Sequence, residues 1–323
     1  MKKFMLFLLL LIIAGTAALA EDLCAQVLDA ILASEEEFVL TGAESSQQAD
    51  DAVRLFAGLE RWTITPQDDG IHVRVFYPTG KRILSRLKSG TLLDIADAQI
   101  YDMANTILDG LITPDMTDLE KETAIYDYLC DHCTYMVDME HYATDTAEGP
   151  LRYNRAQCSG YSDAFTLLCG LAGLETYCVH GTRLATGVSH EWNLIRLDGL
   201  WYAADLTFGD TNDTALVRDA WLNLPVGMQR GTVSWDERTL PGGEYALKPD
   251  ANTPCFAKGH YAETEEEARA ICLKALEEDG SLTLLYGGAL DGVKFAESLG
   301  LQLYVSGFDS DSDVCTILYL QKQ

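Results

Sequence analysis

An α+β fold is what the sequence predicts, on three observations. A helix pattern opens at Cys158, a β-hairpin pattern centres on Asp198-Gly199, and short helix and strand patterns alternate on either side of that pair. After Cys158, residues Ala164, Leu167, Leu168 and Leu171 recur at the spacing of one helix face, and Gly173 supplies a stop signal. Cys158 therefore stands at or just before a helix N-terminus. The runs 191–197 and 200–206 are strand-like and are separated by Asp-Gly, the strongest short-range signal for a two-residue turn. With that turn, Leu197 faces Leu200, Trp192 faces Asp205, and His190 faces Thr207. His190 and Asp205 become diagonal neighbours on one face, roughly 7–8 Å apart at the backbone. A slip of one residue would put them on opposite faces, and a bulge near His190 would weaken the pairing.

The flanks are organised as two smaller units. Residues 21–105 form an N-terminal α+β unit: Glu37 to Leu40 reads as a strand, Ala49, Ala52, Val53 and Phe56 as a helix face, and Ile71 to Tyr77 as a strand entered through the turn Asp68-Asp69-Gly70. The central core, 106–235, opens with a helix whose capping box is Thr117 and Glu120. A C-terminal α+β unit, 240–323, follows Pro241-Gly242-Gly243. It has a second capping box at Thr264 and Glu267, the buried stripe Ala268, Ile271, Cys272 and Ala275, strands over 282–286, 301–305 and 314–320, and a helix over 290–299. Neither outer unit carries a catalytic motif, so both read as packing or substrate-recognition modules.

The chemistry-bearing residues fall in the order Cys158, His190, Asp205. A thiol nucleophile needs a base to take its proton and a carboxylate to orient that base. The free N–H groups and dipole of a helix N-terminus favour a thiolate and can receive an oxyanion. Ser159 and Gly160 are small and leave room for a substrate to approach the sulfur.

With these residues in view, the stretch from 117 to 210 resembles the transglutaminase-like superfamily. Bacterial members share a pattern close to C-x-G-Y-x-x-x-F, then H-x-W-N, then W-Y-x-x-D-x-T. This chain supplies Cys158, Gly160, Tyr161 and Phe165, then His190, Trp192 and Asn193, then Trp201, Tyr202, Asp205 and Thr207. The resemblance implies a papain-like core, in which a helix bearing the cysteine packs on an antiparallel sheet bearing the histidine and aspartate. It implies Cys158 as nucleophile, His190 as general base and Asp205 as the group that orients it. It also implies an upstream side chain in the oxyanion hole, for which Gln157 and Tyr135 are the candidates. Glu191 departs from the small residue of many relatives, and a charge beside the base could alter its pKa or the choice of substrate.

Composition bounds the setting. The opening MKKFMLFLLLLIIAGTAALA has two lysines, an apolar core and Ala18-Leu19-Ala20, which together read as a secretory signal peptide cut after Ala20; the alternative is an uncleaved anchor. The expectation is a secreted or extracytoplasmic protein. The formal net charge is −27, and cleavage would remove Lys2 and Lys3. Such a surface repels nucleic acid and anionic membranes. No nucleic-acid partner and no stable membrane insertion after cleavage are expected; the thiol chemistry points instead to a peptide or protein substrate, cell-wall peptide included, and no cofactor is expected.

The remaining candidates have plainer readings. Eight cysteines besides Cys158 could pair in a secreted chain, yet Cys169, Cys272 and Cys178 fall on apolar faces or strands where free cysteines are common. Cys130-Asp131-His132-Cys133 reads as helix packing or a local disulfide ahead of a redox or zinc site. Asp309, Asp311 and Asp313 have calcium-loop spacing but lack the following Gly and closing Glu, so an acidic turn is expected. His72, His132, His141, His180 and His260 lack partner motifs. The function expected is acyl transfer from an amide through Cys158, with hydrolysis favoured over crosslinking. The competing class is a catalytically silent peptide- or cell-wall-binding module on the same fold.

Overall fold

The computed structural model describes residues 2–210, 218–300, 302–304 and 314–321. Three larger sheets, a two-stranded pair of Thr134–Tyr135 with Arg155–Ala156, and the helices packed on them make an α+β architecture among the described residues. The central sheet is built on the expected hairpin, Ser189–Leu197 with Leu200–Ala204. Its turn places Asp198 at φ 51° and Gly199 at φ 85°, the pair of positive values that a type I′ turn requires. The register follows: Leu197 pairs with Leu200, and Asn193 with Ala204. Thr176–Arg183 lies antiparallel on the other side of the His190 strand, with Gly181 opposite His190. Val233–Ser234 and Glu244–Tyr245 extend the two edges, and Leu224–Pro225 adds to the Leu200–Ala204 strand.

The helix Cys158–Leu171 packs across this sheet. Ala164, Leu167 and Leu168 of the expected stripe are fully buried, and Leu171 is half-buried at the edge of the same core. Burying three such side chains contributes several kcal/mol by the transfer of apolar area alone. Asp118–His132 packs on the helix and closes at its N-terminus with the expected Thr117–Glu120 capping box.

The N-terminal sheet, Glu37–Leu40, Gly70–Phe76 and Arg61–Gln67, is antiparallel with the Gly70–Phe76 strand central. The strand Arg61–Gln67 is an addition to the expectation, and its Trp62, Thr63, Ile64 and Thr65 are residue types that favour strands. A helix, Lys2–Ala33, runs through the expected cleavage point. Its buried residues Leu23, Cys24, Val27 and Ile31 share one core with Val73, Val75, Tyr177, Trp192 and Trp201. The N-terminal unit and the central sheet therefore bury apolar surface in common. No helix among the described residues is long and apolar enough to cross a membrane.

The C-terminal sheet orders Tyr261–Ala262, Ser281–Tyr286, Thr316–Gln321 and Gln302–Tyr304. Helices Glu265–Glu278 and Gly292–Leu299 accompany it, the first with the expected Thr264–Glu267 box. Asp309, Asp311 and Asp313 lie outside the described residues.

Candidate active site

Cys158 is the first residue of its helix, capped by Gln157 in an extended conformation, and it is part-exposed. Its sulfur stands where the first-turn N–H groups lack intrahelical partners. Gly160 has a different role from the expected one. A Cβ there would sit 2.1 Å from the Thr144 carbonyl oxygen, so the missing side chain admits the Thr144 backbone rather than a substrate. That close approach lets Gln157 N–H donate to the same carbonyl at 2.8 Å and pins the turn that presents Cys158.

His190 and Asp205 meet as the hairpin implies, though by a shorter ladder. The strand ends at Ala204, where the expectation ran it to Leu206. Asp205 leaves the sheet because its carboxylate caps a short helix, Leu206–Gly209, accepting from Phe208 N–H at 3.1 Å through Oδ1. Its other oxygen, Oδ2, faces His190 Nε2 at 2.8 Å. Both residues are buried, 2% and 1% exposed, so the pair is shielded from screening by solvent. An ionised carboxylate only accepts, so Nε2 carries the proton and the other ring nitrogen is left for the thiol. Burial by itself lowers the pKa of His190. The Asp205 charge and hydrogen bond, with an interaction from Cys158, outweigh it and raise the pKa well above the ordinary histidine range. Cys158, His190 and Asp205 are thus brought into one connected set.

The other motif residues hold this set in place. Asn193 donates to Ser162 O at 3.1 Å and to Thr166 Oγ1 at 3.0 Å, tying the His190 strand to the Cys158 helix. Trp192 stacks near the His190 ring at 5.8 Å. Tyr161 hydrogen-bonds Asp210, and Phe165 lies edge-on to Tyr126, whose hydroxyl donates to Asp205 O at 3.1 Å. Trp201 Nε1 donates to Gly242 O at 3.2 Å, and the Tyr202 hydroxyl donates to Asp250. Glu191 points away from the base. It faces Cys178, whose thiol donates to it at 3.7 Å, and His180 at 3.8 Å, as alternation along a strand requires.

Three contributors carried no sequence signal of their own. Gln229 donates through Nε2 to Asp205 Oδ2 at 3.1 Å. Trp221 O accepts from Asp205 N–H at 2.9 Å. Phe208 packs its ring 4.8 Å from His190. Only Phe208 is near a motif; Gln229 and Trp221 come from a segment that returns to the sheet after residue 217.

Residues 105–206 match the model of the transglutaminase-like superfamily. This segment is a transglutaminase-like domain. The kyphoscoliosis peptidase of Homo sapiens is 31% identical over 132 residues, covering 36% of this chain and 20% of that protein. The kyphoscoliosis peptidase of Mus musculus is 29% identical over 118 residues, covering 32% and 18%. The chain thus spans about a fifth of the length of these curated relatives. Among solved structures, a TGase crystal structure aligns at TM-score 0.32 and 15% identity over 53% of this chain and 50% of that one. A putative cysteine protease from Cytophaga hutchinsonii aligns at TM-score 0.29 and 10% identity over 46% and 61%. The matched segment of the transglutaminase-like domain ends one residue after Asp205 and holds all three residues of the set.

Around it the other candidates have structural partners. His72 meets Asp69 at 2.8 Å, His132 meets Tyr128 O at 2.8 Å, and His141 meets Asp138 at 3.0 Å. Cys130 and Cys133 are buried free thiols at the end of their helix, donating weakly to Leu206 O and Pro150 O. Among the described residues no three His, Cys, Asp or Glu side chains are grouped to hold a metal.

Proposed function

We propose that the protein is a thiol acyl-transfer enzyme that attacks amide bonds of peptides or proteins through Cys158, His190 and Asp205. The buried 2.8 Å contact of His190 with Asp205, beside a helix-initiating cysteine whose sulfur acts electrostatically on the same imidazole, carries this reading. The raised pKa of His190 supports an imidazolium paired with a thiolate. The thiolate adds to the amide carbonyl, His190 gives its proton to the departing amine or ammonia, and a thioester is left. Water, deprotonated by His190, then releases the acid and regenerates the thiol.

First-turn N–H groups are placed to receive the oxyanion. Of the two candidate side-chain donors, Tyr135 is favoured. Burial and then the charge of Cys158 raise its pKa, which puts the phenol within electrostatic reach of the sulfur. Gln157 instead turns its Nε2 to Ser159 Oγ at 3.3 Å. Hydrolysis is favoured over crosslinking because water reaches a part-exposed thioester unless a bound amine displaces it; the relatives' name, peptidase, agrees. A secreted or extracytoplasmic setting is part of the proposal, on the charged, apolar and small-residue order of residues 2–20.

Profiling on peptide amides with and without added amine tests the reading. Low-dose iodoacetamide should label Cys158 first and stop turnover, and both Cys158→Ala and Cys158→Ser should be close to background. Retained turnover in Cys158→Ala, with another cysteine labelled first, would overturn it. Amine incorporation that outpaces release of the acid would move the assignment to crosslinking.

A further inference from the structure

A cavity of about 240 Å³ opens beside the first turn of the Cys158 helix, with Gln157 and Ser159 in its wall. Lys81, near the start of the helix Thr79–Ser89, lies in the same wall. Part of its side chain faces the cavity, but among the described residues its ammonium has no hydrogen-bond or ion-pair partner. The ammonium stands over the face of Tyr77, 5.7 Å from its centroid. Three of the neighbouring acids are already engaged. Glu60 faces Arg82 at 3.8 Å, and Glu191 faces His180 at 3.8 Å and Cys178 at 3.7 Å. Asp163 accepts the backbone N–H groups of Gly80, Lys81 and Ala147 at 2.8–3.0 Å. Among the described residues, Lys81 and Asp145 are therefore the two charged side chains of this wall with neither an ion-pair nor a hydrogen-bond partner. A part-buried ammonium with no counter-ion gains from a carboxylate, through charge-assisted hydrogen bonds.

We propose that this cavity is a substrate subsite in which Lys81 binds a single carboxylate carried close to the amide that Cys158 attacks. Gln157 and Ser159 flank Cys158 in sequence and line the cavity, so a group held there belongs to a residue adjoining the scissile amide. Asp145 in the same wall repels a second negative charge and limits the subsite to one. Burial lowers the pKa of Lys81, with the Asp163 charge opposing the shift; a bound carboxylate would stabilise the charged form.

The proposal rests on Cys158 as nucleophile only for its link to turnover, so the test reads binding. Cys158→Ala protein is titrated calorimetrically with N-acetylated tripeptide amides in which Glu, or its neutral methyl ester, is moved through the three positions. At one position the acid should bind roughly 10-fold or more tighter than the ester. Lys81→Met should abolish that difference and Lys81→Arg should keep most of it. Equal binding of acid and ester at every position would overturn the proposal. So would a preference that survives in Lys81→Met, or equal losses for acid and ester in both variants, which mark a packing role. A Cys158→Ala protein that still turns over peptides while showing the Lys81-dependent preference would remove the nucleophile assignment and leave the subsite standing.

Discussion

Asp205 holds two structural duties with one carboxylate. Oδ1 caps the helix Leu206–Gly209, and Oδ2 receives both His190 and Gln229. An Asp205→Asn side chain keeps the shape, but its NH₂ cannot accept from His190 Nε2 and cannot balance an imidazolium. Turnover should fall by roughly 100-fold or more, with melting temperature little changed, because the carbonyl oxygen can still cap the helix. If Asp205 were only a cap, the opposite pattern would follow: lower melting temperature and near-normal turnover. Measuring both on the same samples separates the two. At this scale the sequence showed Cys158, His190 and Asp205 through their local frames. It could not show Gln229, whose contact with Asp205 spans 24 positions and depends on the path of the returning segment.

The hairpin is the element that aligns the site. Its two turn residues have φ of 51° and 85°, a geometry open to Asp-Gly and closed to proline, whose ring holds φ near −65°. Replacing Asp198-Gly199 with Ala-Pro should shift the register of Leu200–Ala204 and carry Asp205 away from His190. Turnover per folded molecule should fall at least roughly 10-fold, by the loss of a positioned general base. Full specific activity would show that the segment beyond Ala204 finds His190 without the turn. Period and turn chemistry made the register legible from sequence. The exit of the chain at Asp205 was not legible, because a capping aspartate and a strand-end aspartate look alike until Phe208 N–H comes round to meet the carboxylate. The Cys158 helix was equally plain in its apolar stripe, while its attachment to the sheet through Asn193 was visible only as a motif letter.

Across the molecule, a buried acid links the core to the segment that supports Asp205. Glu122, on Asp118–His132, has no exposure and accepts from Asn223 Nδ2 at 2.8 Å, two residues from Trp221. Burial raises its pKa from 4.5 to about 8, against the lowering effect of the Asn223 bond. Between those values the folded protein holds a proton that the unfolded chain releases. Stability should therefore decline as pH rises from about 4.5 to about 8 and level off above, a change of a few kcal/mol from this group. Glu122→Gln removes the titration and keeps an amide oxygen for Asn223. Its melting temperature relative to the parent protein should climb steadily over that pH window, as read by calorimetry. Parallel curves for the two proteins would show that Glu122 is ionised in the fold.

By itself the sequence determined the class of the fold, the helix that starts at Cys158, the register that brings His190 towards Asp205, and both capping boxes. Each of these is set by contacts within a few residues or by a period of side chains along one element. Only the tertiary structure decided that Glu191 faces away from the base, that Gly160 makes room for the Thr144 backbone, and that Gln229 and Trp221 fix Asp205. It also decided that Lys81, 77 positions before Cys158 in the chain, lines a cavity beside the same turn without an ion-pair partner among the described residues. These depend on which distant segments share a core. That outcome follows from the joint burial of many apolar side chains, not from the local preferences of any one segment.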